Sequence, residues 1–281
     1  MRLIILNGCS VPEPLRMNEI LLVITEGKRP EKEIVDFLMQ RLEEAASKPR
    51  IVWGYWHTDL LDLCKKVLCD PYLDYLGLLQ KYTDNLELKD LDQDSVSETY
   101  LFFDLDAHCS KYVCSGLDAY LDQVQKVLSQ CTNETSPLGK LYISYPMAEA
   151  LWDYSIEDSS SARRCFFPLS HGALYKRHVQ ERNPHKGEPL SSVQWMKLCD
   201  IHFRRAFGIS MHSLESYSYT ALKNLTQQQI FVSQRKIVSV YSQIFALSPF
   251  PLFLLDIRGE HLFNEVSQGA GSSLCAYDCF I

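Results

Sequence analysis

Over the first half of the chain, short uninterrupted apolar runs take turns with longer segments of helical periodicity. Ile20-Leu21-Leu22-Val23-Ile24 leads into Thr25-Glu26-Gly27, and Ile51-Val52-Trp53-Gly54-Tyr55 forms a second run. Tyr100-Leu101-Phe102-Phe103 ends in Asp104-Leu105-Asp106, and Lys140-Leu141-Tyr142-Ile143-Ser144-Tyr145 stops at Pro146. Runs of this length without a charge predict strands buried on both faces, as parallel sheets require. Between them, Pro30 suits a first helical position and Ile34, Phe37, Leu38, Leu42 and Ala45 follow at helical spacing. Residues 59–68 and 116–130 repeat that periodicity and predict two more helices. Strands alternating with helices in this way predict an α/β fold with a mostly parallel sheet over residues 1–155.

The pattern then changes. Asp158-Ser159-Ser160-Ser161 is a polar break, and residues 192–207 and 221–245 carry helical periodicity with no strand apparent among them. A helical insertion over 156–247 is expected. Pro249-Phe250-Pro251 punctuates it, and the apolar residues 252–257 predict a final strand that returns to the sheet within a last segment, 248–281.

Charge enters this picture at strand ends. In a parallel sheet the carboxyl ends of the strands open onto a crevice where ligands bind. Glu26 and Asp104 fall there, and strand alternation predicts that Asp104 and Asp106 share one face while Leu105 points away. Three carboxylates brought to one crevice suit a hard cation.

Bulk composition narrows the class only broadly. The 281 residues carry a net charge of −7, with 46% hydrophobic and 22% charged residues, as an ordinary globular protein does. Within that acidic total, residues 163–205 hold nine Lys and Arg against Glu181, Glu188 and Asp200, interleaved with Phe166, Phe167, Tyr175, Trp195 and Phe203. This stretch suits either phosphate contact and base stacking or a charged helix face covering a core. The ten cysteines include no CxxC pair, so reduced, core-filling thiols are expected rather than a zinc or disulfide framework. No signal-peptide core or membrane-length apolar run is present, and a cytoplasmic location is expected.

Thr25-Glu26-Gly27-Lys28-Arg29-Pro30-Glu31, followed much later by Asp104-Leu105-Asp106, resembles the signature of the Toprim family: a Glu-Gly element after the first strand and an Asp-x-Asp element after a later one. The segment Gly139-Lys140-Leu141-Tyr142-Ile143-Ser144-Tyr145-Pro146-Met147-Ala148-Glu149 is similar to one in the Toprim-like nucleases of phage-defence systems, the AriB-type effectors of PARIS in particular. The resemblance implies a Toprim-like sheet and a nuclease using Mg²⁺ or Mn²⁺ held by Glu26, Asp104 and Asp106. It further implies cleavage of tRNA, silencing by an ABC-type ATPase partner, and a homodimer.

Beside the resemblance, Gly27 lets backbone approach a phosphate whose charge Lys28 or Arg29 can hold, or the three form a solvated turn. Glu149 is a further catalytic or metal carboxylate, or a helix N-terminal acid. His57 and His108 follow strands and suit proton transfer or a structural hydrogen bond. Two other functions remain open: a haloacid-dehalogenase-like phosphatase with Asp104 as nucleophile and Asp106 as acid, and a non-catalytic interaction subunit.

Overall fold

The computed structural model describes residues 20–27, 34, 50–108, 116–154, 165–183, 188, 190–211 and 213–269. The four apolar runs form one sheet: β1 (Ile20–Thr25), β2 (Arg50–Tyr55), β3 (Val96–Asp104) and β4 (Lys140–Ser144), in the order β2-β1-β3-β4. All its ladders are parallel. The protein is therefore an α/β protein whose parallel sheet is flanked by helices. Leu21, Val23, Ile24, Leu101, Phe102, Phe103, Leu141 and Ile143 lie buried at its centre, which is why these strands carry unbroken apolar runs.

Helix α1 (Leu60–Cys69) starts at Asp59, whose side chain accepts from the Asp62 N–H. It is followed by the short α2 (Tyr75–Leu79), and α3 (Leu117–Leu128) precedes β4. Helices α1 and α3 present Leu60, Leu63, Val67 and Tyr120, Leu121, Val124, Leu128 to the core, as their spacing predicts. The expected helix after Pro30 lies outside the described residues, except for Ile34, which is helical and buried.

The second half departs from expectation in three places. The insertion is mostly helical, with α4 (Tyr175–Arg182), α5 (Ser192–Met211), α6 (Tyr219–Lys223) and α7 (Gln227–Tyr241), yet it also contains an antiparallel pair, β5 (Phe166–Pro168) with β6 (Gln243–Phe245). The single helix expected over 221–245 is divided. Thr226 and Gln229 form a capping box that starts α7 afresh, and Ser242, at φ 52°, ends it in a left-handed turn before β6.

Nor do residues 252–257 form the expected final strand. Residues Phe250–Arg258 form helix α8, followed by α9 (Glu260–Gly269). The residues from Phe250 to Leu255 are buried all round, and a continuous apolar run of that length fits a buried helix as well as a buried strand. Pro251 in the first turn of α8 decides in favour of the helix. The chain does return to the sheet, but earlier and by one bridge, Leu247 against Tyr145. Helix α8 then covers one sheet face: Phe250 stacks on Phe102 at 4.8 Å, and Phe253 meets Tyr100 edge-on at 4.8 Å. Among the described residues, no helix is long and apolar enough to cross a membrane.

Candidate active site

At the carboxyl ends of β1, β2 and β3 lies a cleft of about 890 Å³. Its sheet side is lined by Glu26, Gly27, His57, Asp104, Asp106 and His108, and its far side by Met147, Gly172, Ala173 and Lys176. Thr58, Asp59 and Asp62, at the start of α1, close the third side.

Parallel pairing sets the acids side by side. Thr25 is in register with Phe102 and Tyr55, and the ladder runs one residue further through Glu26 N–H donating to the Phe102 carbonyl at 3.3 Å. Glu26 thus arrives beside Asp104, and its Oε2 accepts from the Asp104 N–H at 3.4 Å. The route of Asp106 into the cleft differs from the simple alternation expected. β3 ends at Asp104; Leu105 N–H then bonds the Ser144 carbonyl and Asp106 N–H the Pro146 carbonyl, and Asp106 takes a left-handed φ of 47°. The two aspartates reach one cleft through a turn rather than a shared strand face, with Leu105 buried between them.

Glu149 comes from the other direction. It sits in the 3-10 turn Ala148–Trp152 after β4, is 7% exposed, and its Oε1 lies 3.1 Å from Lys176 Nζ. Its Oε2 is buried and meets no hydrogen-bond partner among the described residues. Burial holds the Asp106 carboxyl above the usual carboxylate range, with Asp59 and Glu149 adding to the effect and His108 and Lys176 opposing it. Lys176 is the counterpart. Burial pulls its ammonium down, but Glu149, Asp104 and Asp106 more than reverse this and raise it above an ordinary lysine.

The donor set is oxygen-rich and suits a hard cation, and the bare Oε2 of Glu149 is the sort of buried atom such an ion satisfies. Among the described residues no three His, Cys, Asp or Glu side chains form a ready-made ligand group, so Glu26, Asp104 and Asp106 share a cleft without making the three-carboxylate cage expected of them. Mg²⁺ does not need one, because it binds through one or two carboxylates and completes its shell with water and substrate phosphates.

Of the phosphate-binding trio, Gly27 lines the cleft, whereas Lys28 and Arg29 lie outside the described residues. Of the two readings of the basic stretch, burial goes against base stacking for Phe167, Tyr175, Trp195 and Phe203, which lie in the core, while Phe166 is half-buried. Several of the cations beside them are engaged within the protein, Arg182 with Asp153, Arg204 with Asp200, and Arg205 with the carbonyls of Asp153 and Ala246. Trp195 and Phe203 lie on the buried face of α5, Tyr175 on that of α4, and Phe167 in β5.

The site also holds residues that sequence reasoning passed over. Asp62 is bound by Trp56 Nε1 at 3.2 Å and Thr58 Oγ1 at 2.8 Å, which fits a structural acid. Gly172 packs so closely on His108 that a Cβ there would lie 2.0 Å from its Cγ, bringing the insertion directly against the sheet end. Lys176 was visible only as one cation in a basic stretch. Cys64, Cys131, Cys165 and Cys199 are buried and unbridged, as expected of core thiols, while Cys69 is exposed.

Comparisons with profiles of protein families, with curated proteins and with solved structures return no match. The class of this protein accordingly rests on fold and site: an α/β protein with an acidic cleft at the carboxyl edge of a parallel sheet.

Proposed function

We propose that the protein is a metal-dependent nuclease of Toprim type, acting on tRNA as an effector of phage defence and held silent by an ABC-type ATPase partner. The observation that carries the reading is the meeting of Glu26 with Asp104 and Asp106 in one open cleft, from strands 78 residues apart in sequence. Glu26 is what separates this reading from a haloacid-dehalogenase-like phosphatase, whose chemistry needs Asp104 and Asp106 alone.

Glu26, Asp104 and Asp106 are the residues to hold Mg²⁺ or Mn²⁺, which when bound supplies Lewis acidity and an acidified water. Glu149 stands behind the far wall, buried and paired with the cleft-lining Lys176. Glu26 is placed to take a proton from the attacking water or ribose hydroxyl, and Gly27 leaves its backbone open to a phosphate oxygen. The ATPase partner, the phage-defence setting and a homodimeric state belong to this proposal through the Toprim resemblance.

The test is incubation of the purified full chain with total tRNA, DNA and a small phosphate ester, with and without Mg²⁺ or Mn²⁺. Metal-dependent tRNA cleavage, lost on the order of 10²-fold or more in Glu26→Gln and Asp104→Asn, is expected. Ester hydrolysis that needs Asp104 and ignores Glu26 overturns the reading in favour of the phosphatase.

A further inference from the structure

Helix α4 brings a positive charge into the acidic cleft. Lys176 is its second residue, and although 63% of the side chain is exposed, its Nζ turns inward to Glu149 Oε1 at 3.1 Å rather than to solvent. Asp104 and Asp106 also act on that ammonium. A lone exposed lysine gains little from such a pair, because holding a long side chain in one geometry offsets the attraction.

Here the helix itself is anchored. Tyr175 donates to Asp153 Oδ2 at 2.8 Å and Arg182 pairs with Asp153 Oδ1, so residues at both ends of α4 are tied to the same buried carboxylate. Asp153 stands four residues beyond Glu149 on the same turn-forming segment. The fold therefore fixes Glu149 and Lys176 relative to one another and leaves only the end of the lysine stem free to move.

We propose that Lys176 is the resident counter-ion of the cleft: held by Glu149, its ammonium lines the same volume as Asp104 and Asp106 and offsets the charge a divalent ion would meet there, so that metal loading and the Lys176–Glu149 pair oppose one another. This rests on the metal reading above and concerns how the cleft is filled before metal arrives. The bare Oε2 of Glu149 fits the idea, since a single ammonium satisfies one oxygen of the carboxylate and leaves the other for an ion to claim. Metal affinity is then set by a competition built into the chain, and anything that draws α4 away from the sheet end raises it.

Titration calorimetry of Mn²⁺ into the full chain tests this in wild type, Lys176→Gln, Lys176→Arg and Asp104→Asn. The lysine variants change a largely exposed side chain and leave the Asp153 anchors in place. Lys176→Gln is expected to bind Mn²⁺ roughly two- to fivefold more tightly than wild type, the scale of a solvent-screened charge pair. Lys176→Arg, which keeps the charge, is expected to stay near the wild-type value. Unchanged or weaker binding in Lys176→Gln, with wild-type binding still dependent on Asp104, overturns the counter-ion role and leaves the metal reading standing. Absence of any Asp104-dependent Mn²⁺ binding overturns both.

Discussion

Two clusters of buried polar groups lie on either side of the turn that follows β4, and they are built on opposite principles. Around Asp153, which is 1% exposed, every charge meets a partner: Tyr175 and Arg182 on its carboxylate, and Arg205 on its backbone carbonyl at 2.8 Å. His202 completes the cluster. Ser248 N–H donates to its Nδ1 at 3.2 Å, so Nδ1 carries no proton and Nε2–H donates to the Leu151 carbonyl at 3.1 Å. The ring is neutral by construction.

In the cleft the balance is reversed. Glu26, Asp59, Asp62, Asp104 and Asp106 line one volume in which Lys176 is the lysine, and Glu149 touches that volume only through its pair with Lys176. Satisfied networks make a core rigid, and a surplus of one charge is retained where something from outside completes it. The first cluster holds the second in shape: Leu151, inside the turn that carries Glu149, is pinned by α5, and Asp153, just after that turn, by α4.

This contrast is sharpest under substitution. Asp153→Ala strips Tyr175 and the half-buried Arg182 of the buried carboxylate that both meet. Chemical denaturation is expected to show a loss of about 3–5 kcal/mol, the usual consequence of breaking one side of a buried ion pair. A loss within the range of an exposed pair, under about 1 kcal/mol, breaks the distinction between the clusters.

The two clusters are next expected to respond to pH with opposite sign. Burial holds the His202 pKa down to about 3 from 6.5, with Arg205 reinforcing the effect and the Leu151 carbonyl opposing it. Protons therefore favour the unfolded chain, and stability present above pH 6.5 is lost as pH falls toward about 3. The slope from this one group is about 1.4 kcal/mol per pH unit. Denaturation midpoints of wild type and His202→Gln across that window isolate it, and identical pH profiles contradict the assignment.

Asp106 runs the other way. Its folded pKa is raised above 3.8, chiefly by burial, so its contribution is intact below pH 3.8 and declines as pH rises through the raised value. Asp106→Asn, a residue that tolerates the left-handed backbone, is expected to raise the metal-free melting temperature at pH 7 by about 1–2 °C and to give no gain at pH 3. This is the smallest of the effects. A loss of stability at pH 7 places Asp106 with the satisfied cluster instead.

How far the chain announced this arrangement varies by region. The four strands and their flanking helices were legible because β1 to β4 are buried on both faces and leave unbroken apolar runs, and Glu26 and Asp104 were legible as charges ending them. The α8 helix was misread from the same signal, since an all-buried helix and an all-buried strand share one pattern. β5 and β6 span three residues each, too few for a period to register. Asp153, His202 and Lys176 were invisible as a set because their partners lie on segments distant in sequence, a relation no local spacing encodes.

Anomalous diffraction from crystals grown with Mn²⁺ tests the central claim most directly, because it locates the ion without reference to activity. A peak inside the cleft at bonding distance, about 2.1 Å, from an Asp104 or Glu26 carboxylate oxygen is the result expected. Full occupancy elsewhere with an empty cleft, or no bound Mn²⁺ at millimolar concentration, contradicts it.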